Sequence, residues 1–259
     1  MRAHRRITCA LAVLVLAVSL AGQASANGSG ERRILRVAVY VDRGFGGGQS
    51  LVDVLNTDPN LKAAELTQGQ LESGGLRAFD CVVARLYGPP ESGYPTAATV
   101  HAVQFFIGQG GGYVGEWWGA GAALSFAAPS IDGDYDVPAR FLHVFTGGAS
   151  DGSEVQTDNP ITVLRAHPVV RGLPSVFSGE GGTEFFVRAA PPFDPSLLVL
   201  ATYEGHGGTN AAIMVNRLGS PGEGPGNKVL LLFDAIDNPT DPELSILWKN
   251  SATFACTHP

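Results

Sequence analysis

The sequence predicts one α/β domain behind a short leader, doubly wound around a mostly parallel sheet with helices on both faces. Three observations carry this reading. Nearly continuous apolar runs rich in β-branched residues recur at 34–41, 79–86 and 228–233, as strands buried on both faces require. Segments with apolar residues three and four apart alternate with them, and glycine-rich turns join the two. The chain has 259 residues, enough for one domain with a sizeable core, and shows neither an internal repeat nor a linker that would divide it.

The leader comes first. Arg2, Arg5 and Arg6 precede an apolar run over 10–22 and the small-x-small triplet Ala24-Ser25-Ala26. A basic start, a short apolar centre and a small-residue exit predict a signal peptide over 1–26, with the domain at 27–259. The apolar run is short for a permanent membrane helix, although an uncleaved anchor is the alternative. A secreted or periplasmic location follows, with no membrane association after cleavage. The chain carries 17 Lys and Arg against 24 Asp and Glu, a net charge of −7, and loss of the leader makes it more acidic. Such a surface repels nucleic acid, which is excluded as a partner. Cys9 leaves with the leader. Cys81 and Cys256 remain as an even pair in an oxidising compartment, able to bridge or to stay as two separate buried thiols.

Along the domain, the strand at 34–41 runs into the glycine-rich turn 42–48, and Leu51, Val52, Val54 and Leu55 form a helical stripe that stops at Asp58-Pro59. A short strand is expected at 63–66 and a longer one at 79–86, ended by Gly88-Pro89-Pro90. Thr96 suits the N-cap of a helix that closes at Gly108. Residues 110–124 read as strand, tight turn and small-residue helix. The second half is less regular: an acidic turn at 131–138, short strands at 141–145, 161–164, 184–187 and 197–202, another at 211–218, and the buried strand at 228–233. Asp241-Pro242-Glu243 then opens a last helix with Leu244, Leu247 and Trp248 on its buried stripe.

In an open parallel sheet, ligands bind beyond the carboxyl ends of the strands. The residues expected there are Asp42 and Arg43, Tyr87, then Glu116, Trp117 and Trp118, and finally Asp234 and Asp237. The bend over 115–119 is the informative one, because a sharp strand-to-helix turn flanked by glycines holds one side chain over helix amides, as a nucleophile needs. The segment GGGYVGEWWGAGAAL resembles the nucleophile elbow of class I glutamine amidotransferase-like proteins, a glycine-rich strand followed by Gly-x-Cys-x-Gly. His167-Pro168-Val169-Val170-Arg171-Gly172-Leu173-Pro174, followed by Glu184-Phe185-Phe186, is similar to the signature of the ThuA-like (trehalose utilisation) branch of that superfamily. The resemblance implies a flavodoxin-like fold and a role with sugars or related metabolites.

Two departures bear on chemistry. Trp117 stands where amidotransferases carry cysteine, and Phe233-Asp234-Ala235 stands where they carry a late histidine. Indole is neither nucleophile nor general base, so cysteine-dependent glutamine hydrolysis is not expected. Glu116, with a charge favoured by a nearby helix N-terminus, Asp42, Asp234 and Asp237 are candidates for acid/base work or cation binding, or else they cap turns. Trp117 and Trp118 can offer a stacking face to a sugar, or pack in the core. His167 can reach the pocket with Glu184, or orient its own loop before Pro168. His206 lies in a glycine-rich turn able to close over a ligand or to stand as plain loop. His101 and His143 have no partner at metal-ligand spacing, and Asp132-Gly133-Asp134-Tyr135-Asp136 lacks the glycine and glutamate of a calcium loop. The expected function is a domain without the amidotransferase nucleophile that binds a small polar ligand such as a carbohydrate at Asp42, Arg43, Tyr87, Glu116, Trp117, Trp118 and Glu184, with no cofactor and no metal. The alternative is an enzyme of sugar metabolism using Glu116, Asp234 and His167.

Overall fold

The computed structural model describes residues 33–42, 48–86, 96–116, 119–120, 147–149, 155–157, 160–178, 183–185, 190–193, 195–205, 208–216 and 226–257. The leader, Arg43, Tyr87, Trp117, Trp118, His143, His206, the acidic turn at 131–138 and the strand expected at 141–145 lie outside them.

The strands and helices expected between residues 34 and 116 form in order, while the small-residue helix expected after the bend at 115–119 runs into residues outside those described. Strand β1 (Leu35–Val41) is followed by α1 (Gly48–Leu55), β2 (Leu61–Glu65), α2 (Gln68–Glu72), β3 (Cys81–Arg85), α3 (Ala97–Gly108) and β4 (Gly112–Glu116). Helix α3 starts at the expected cap, where the Thr96 hydroxyl accepts the Thr99 N–H. Helix α2 is not among the expected elements, yet its capping box is in the sequence: Thr67 and Gln70 satisfy each other's backbone N–H groups.

The second half adds β5 (Gly147–Ala149), β6 (Val155–Thr157), β7 (Ile161–Val163), β8 (Val176–Phe177), β9 (Thr183–Phe185), β10 (Ala190–Phe193), β11 (Leu197–Gly205), β12 (Gly208–Asn216), β13 (Lys228–Leu231) and the closing helix α4 (Pro242–Cys256). In α4 the Asp241 carboxylate accepts the N–H groups of Glu243 and Leu244, with Pro242 in the first turn, as its sequence predicts.

Nine strands form one sheet in the order β2-β1-β3-β4-β13-β12-β11-β7-β8. The first five run parallel, and every pairing from β13 to β8 is antiparallel. The sheet is therefore mixed, which corrects the expectation of a mostly parallel one. The reason is the connection between β11 and β12: only His206 and Gly207 separate them, and so short a link can only reverse the chain. The segment expected as a loop at 204–208 is mostly strand.

Helices cover both faces. Val37, Val39, Val83 and Val114 pack with α1 and α4 on one side. Ala38, Tyr40, Val82 and Tyr113 pack with α2 and α3 on the other, as the period-two alternation of strand side chains demands. Among the described residues, no helix is long and apolar enough to cross a membrane.

Candidate functional site

The carboxyl ends of β3, β4 and β13 meet around one guanidinium. Arg85, the last residue of β3, is 1% exposed. It donates from Nη1 to Asp237 Oδ1 at 2.6 Å and from Nη2 to Asp234 Oδ2 at 2.8 Å. Its Nε lies 3.7 Å from Glu116 Oε2. Glu116 ends β4 and is 0% exposed. Its Oε1 accepts the N–H groups of Ala235 at 2.7 Å and Ile236 at 3.2 Å, which ties the end of β4 to the loop after β13.

Solvent reaches this cluster unequally: the Asp234 side chain is 8% exposed and that of Asp237 64%. Burial pushes the Glu116 carboxyl up to about 8, with Arg85 and the two amides pulling the other way and Asp234 adding to the rise. Burial also raises Asp234 to about 6, against the pull of Arg85 and with Asp237 reinforcing it. The expectation that a helix N-terminus holds Glu116 in its charged form is corrected. Among the described residues its hydrogen bonds come from the amides of the loop after β13, and desolvation outweighs them.

The bend at 115–119 does sit at the carboxyl end of β4. A side chain at Gly115 would strike the Tyr113 ring at 2.6 Å, and one at Gly119 would run into the Ala84 carbonyl. Tyr113 also donates its hydroxyl to the Gly119 carbonyl at 2.7 Å. Both glycines are thus dictated by close packing of the turn on its own strand and on β3.

Other candidates fall elsewhere. Asp42 follows β1 and is buried; its N–H donates to the Arg85 carbonyl at 3.0 Å, but its Oδ1 accepts the Tyr40 hydroxyl at 3.2 Å. That contact puts the Asp42 side chain on the Tyr40 face of the sheet, whereas Arg85 and Glu116 continue the alternation of Val83 and Val114 on the opposite face. Asp42 therefore does not join Asp234 and Asp237. His167 caps the short turn Pro168–Val170, its Nδ1 accepting the Val169 N–H at 3.2 Å, and its ring meets Phe254 edge-on at 4.9 Å. Phe254 lies in the last turns of α4, while Asp234 and Asp237 precede the start of that helix. Its 15 residues span about 22 Å at 1.5 Å per residue. His167 is therefore at the other end of the molecule from Glu116 and Asp234, and the three do not converge. Glu184 pairs with Gln156 in the two-stranded β6–β9 sheet, outside the main sheet. Among the described residues, no group of three or more His, Cys, Asp or Glu is arranged to hold a metal ion; the cation at the cluster is Arg85.

Arg85 is the member that the residue pattern did not single out. Its signal is plain in hindsight, since it is the one charged residue in the buried strand Cys81–Arg85, and a buried arginine needs carboxylate partners. Cys81 and Cys256 form a disulfide between the start of β3 and the end of α4. It lies at the opposite end of the strands from the cluster, because β3 carries Cys81 at one end and Arg85 at the other.

No family model matches the sequence, and no curated protein matches it. Solved structures do. A protein described as ThuA-like from Bacteroides uniformis aligns over 89% of this chain and 94% of its own, with a TM-score of 0.61 and 14% identity. A protein described as a component of GMP synthase, from Thermoplasma acidophilum, aligns over 86% and 94%, with a TM-score of 0.52 and 12% identity. PurLQS from Thermotoga maritima aligns over 85% and 98%, with a TM-score of 0.52 and 11% identity. The chain therefore shares the fold of these structures, the ThuA-like one among them, in line with the resemblance of the motifs.

Proposed function

We propose that this chain is an exported ThuA-like domain that performs no glutaminase chemistry and binds a small polar ligand, a carbohydrate, over the carboxyl ends of β4 and β13. The observation that carries the reading is the state of the would-be catalytic groups. Cys81 and Cys256 are bonded to each other at the far end of β3. The position after Glu116 is a tryptophan, and the late strand end supplies Asp234, which is paired with Arg85. A thiolate and an imidazole are both needed for that hydrolysis, and neither stands at its expected position.

Catalysis by carboxylates is the weaker reading. Glu116 is sealed by two amides and burial, and His167 is remote. What the site offers to a ligand is the exposed Asp237 carboxylate, and Trp117 and Trp118 come directly after β4 in the sequence. Carboxylates accept hydrogen bonds from hydroxyls, and indoles suit the apolar faces of sugar rings. The disulfide supports export, since such bonds persist outside the reducing cytosol.

The test is a thermal-shift screen of the mature domain against monosaccharides, disaccharides and polyols. A ligand at a hundredfold its Kd adds about 2.7 kcal/mol, which raises Tm by roughly 5–10 °C for a domain of this size. At least one sugar should do so, and Trp117→Ala and Asp237→Asn should each abolish the shift. A Trp117→Ala variant that keeps every shift, or a wild type that responds to none, would overturn the proposal. Export is checked by the N-terminal residue of the protein recovered outside the cytoplasm, expected to be Asn27.

A further inference from the structure

The segment after β7 makes a second concave site, unrelated to the carboxyl-end cluster. Residues 163–175 fold back along α4 and enclose a cleft of about 630 Å³. Arg165, His167 and Arg171 all line it, and among the described residues no aspartate or glutamate does. Such a grouping is unusual in a chain with a net charge of −7. Neither guanidinium makes an ion pair among the described residues. Both are exposed, so their charge is available to a ligand.

The cleft is held in shape by its own contacts. The Asn250 amide donates to the carbonyls of Val169 at 3.2 Å and Arg171 at 2.7 Å. Gly172 takes the left-handed conformation at φ 83°, which a residue with a side chain seldom adopts, and so turns the chain back toward Leu173. His167 has its Nδ1 occupied as acceptor from Val169. In the neutral ring the proton must then sit on Nε2, leaving that nitrogen as a donor. Two planar guanidinium forks and an imidazole N–H around one cleft supply only donors and positive charge. That is the complement of a tetrahedral oxyanion.

We propose that the 163–175 cleft binds the phosphate group of a small soluble phosphomonoester through Arg165, Arg171 and His167 Nε2. The mature protein is titrated calorimetrically with inorganic phosphate and with glycerol phosphate, against sodium chloride at matched ionic strength. Saturable binding of both phosphates, with none for chloride, is expected. Affinity should fall about tenfold for each arginine replaced in Arg165→Gln and Arg171→Gln, as loss of a charge-assisted hydrogen bond implies. Lys62→Gln, an equal charge change on β2 at the other edge of the sheet, should bind as wild type. The proposal is overturned if the double arginine variant binds phosphate undiminished while its unfolding midpoint matches wild type, or if Lys62→Gln weakens binding as much. It is equally overturned if only vesicles containing phosphatidylglycerol bind, which would make the patch a membrane contact.

Discussion

Arg85 and Glu116 are charged residues at the ends of strands whose other side chains are apolar or small, and water scarcely reaches either. Removing a charge from water costs several kcal/mol unless partners replace the lost hydration. Arg85 finds them in Asp234, Asp237 and Glu116, and Glu116 finds two loop amides as well. The compensation is incomplete for Glu116, because among the described residues its Oε2 meets only the Nε of Arg85, at 3.7 Å and beyond hydrogen-bonding range. Its carboxyl is accordingly raised from 4.5 to about 8. The sign follows directly. Below pH 4.5 folded and unfolded chains both carry this proton, and between 4.5 and 8 the unfolded chain releases it first, so stability declines as pH rises through that window. Urea unfolding of residues 27–259 should therefore show stability falling between pH 6 and pH 8, by roughly 1–3 kcal/mol from this group. Glu116→Gln, whose amide oxygen can still accept the Ala235 and Ile236 N–H groups, should flatten that slope. The decline attributable to Asp234, which is raised to about 6, should remain below pH 6. An unchanged slope in Glu116→Gln would assign the pH dependence to other groups.

Among the elements, β4 and α4 pack so closely that glycine is required between them. A Cβ on Gly112 would collide with the Ala255 carbonyl and come within 2.9 Å of Cys81 Cβ. Gly112→Ala must push α4 off the sheet and should cost about 1–3 kcal/mol. Gly69 in α2 is the contrast: nothing lies within 4 Å of its would-be Cβ, and it has no positive φ. Gly69→Ala should therefore stabilise by about 0.5–1 kcal/mol through helix propensity. Thermal melts of the two variants side by side check both signs. Elements with local punctuation were legible in the sequence: α3 from Thr96 and α4 from Asp241-Pro242, whereas α2 was not expected although Thr67 and Gln70 carry its capping box. Of the two-stranded sheets β5–β10 and β6–β9 only β9 was expected, as the strand at 184–187, because strands of three or four residues carry too little periodicity to be told from loop or to show their partner.

For the molecule as a whole, the Cys81–Cys256 bond joins the start of β3 to the end of the chain's last helix across 175 residues. Closing so long a loop in the unfolded state is worth about 5 kcal/mol in the chain-entropy view. Residues 27–259 should lose that order of stability when Cys81 and Cys256 are both replaced by alanine, read as a fall in the urea midpoint. Treatment of wild type with reductant should reproduce it. Composition, the leader pattern, the apolar strands and the helix caps follow from the order of residues alone, because each depends on neighbours within a turn or two. The α/β class, the bend at the end of β4 and the residues at the carboxyl strand ends were readable for that reason. Which strands pair antiparallel, that the two cysteines meet, that Arg85 gathers Asp234, Asp237 and Glu116, and that Asp42 and His167 stand apart were decided by tertiary structure. Each of those depends on the face and end of the sheet at which distant segments arrive, and a linear pattern records a residue's period but not its partner.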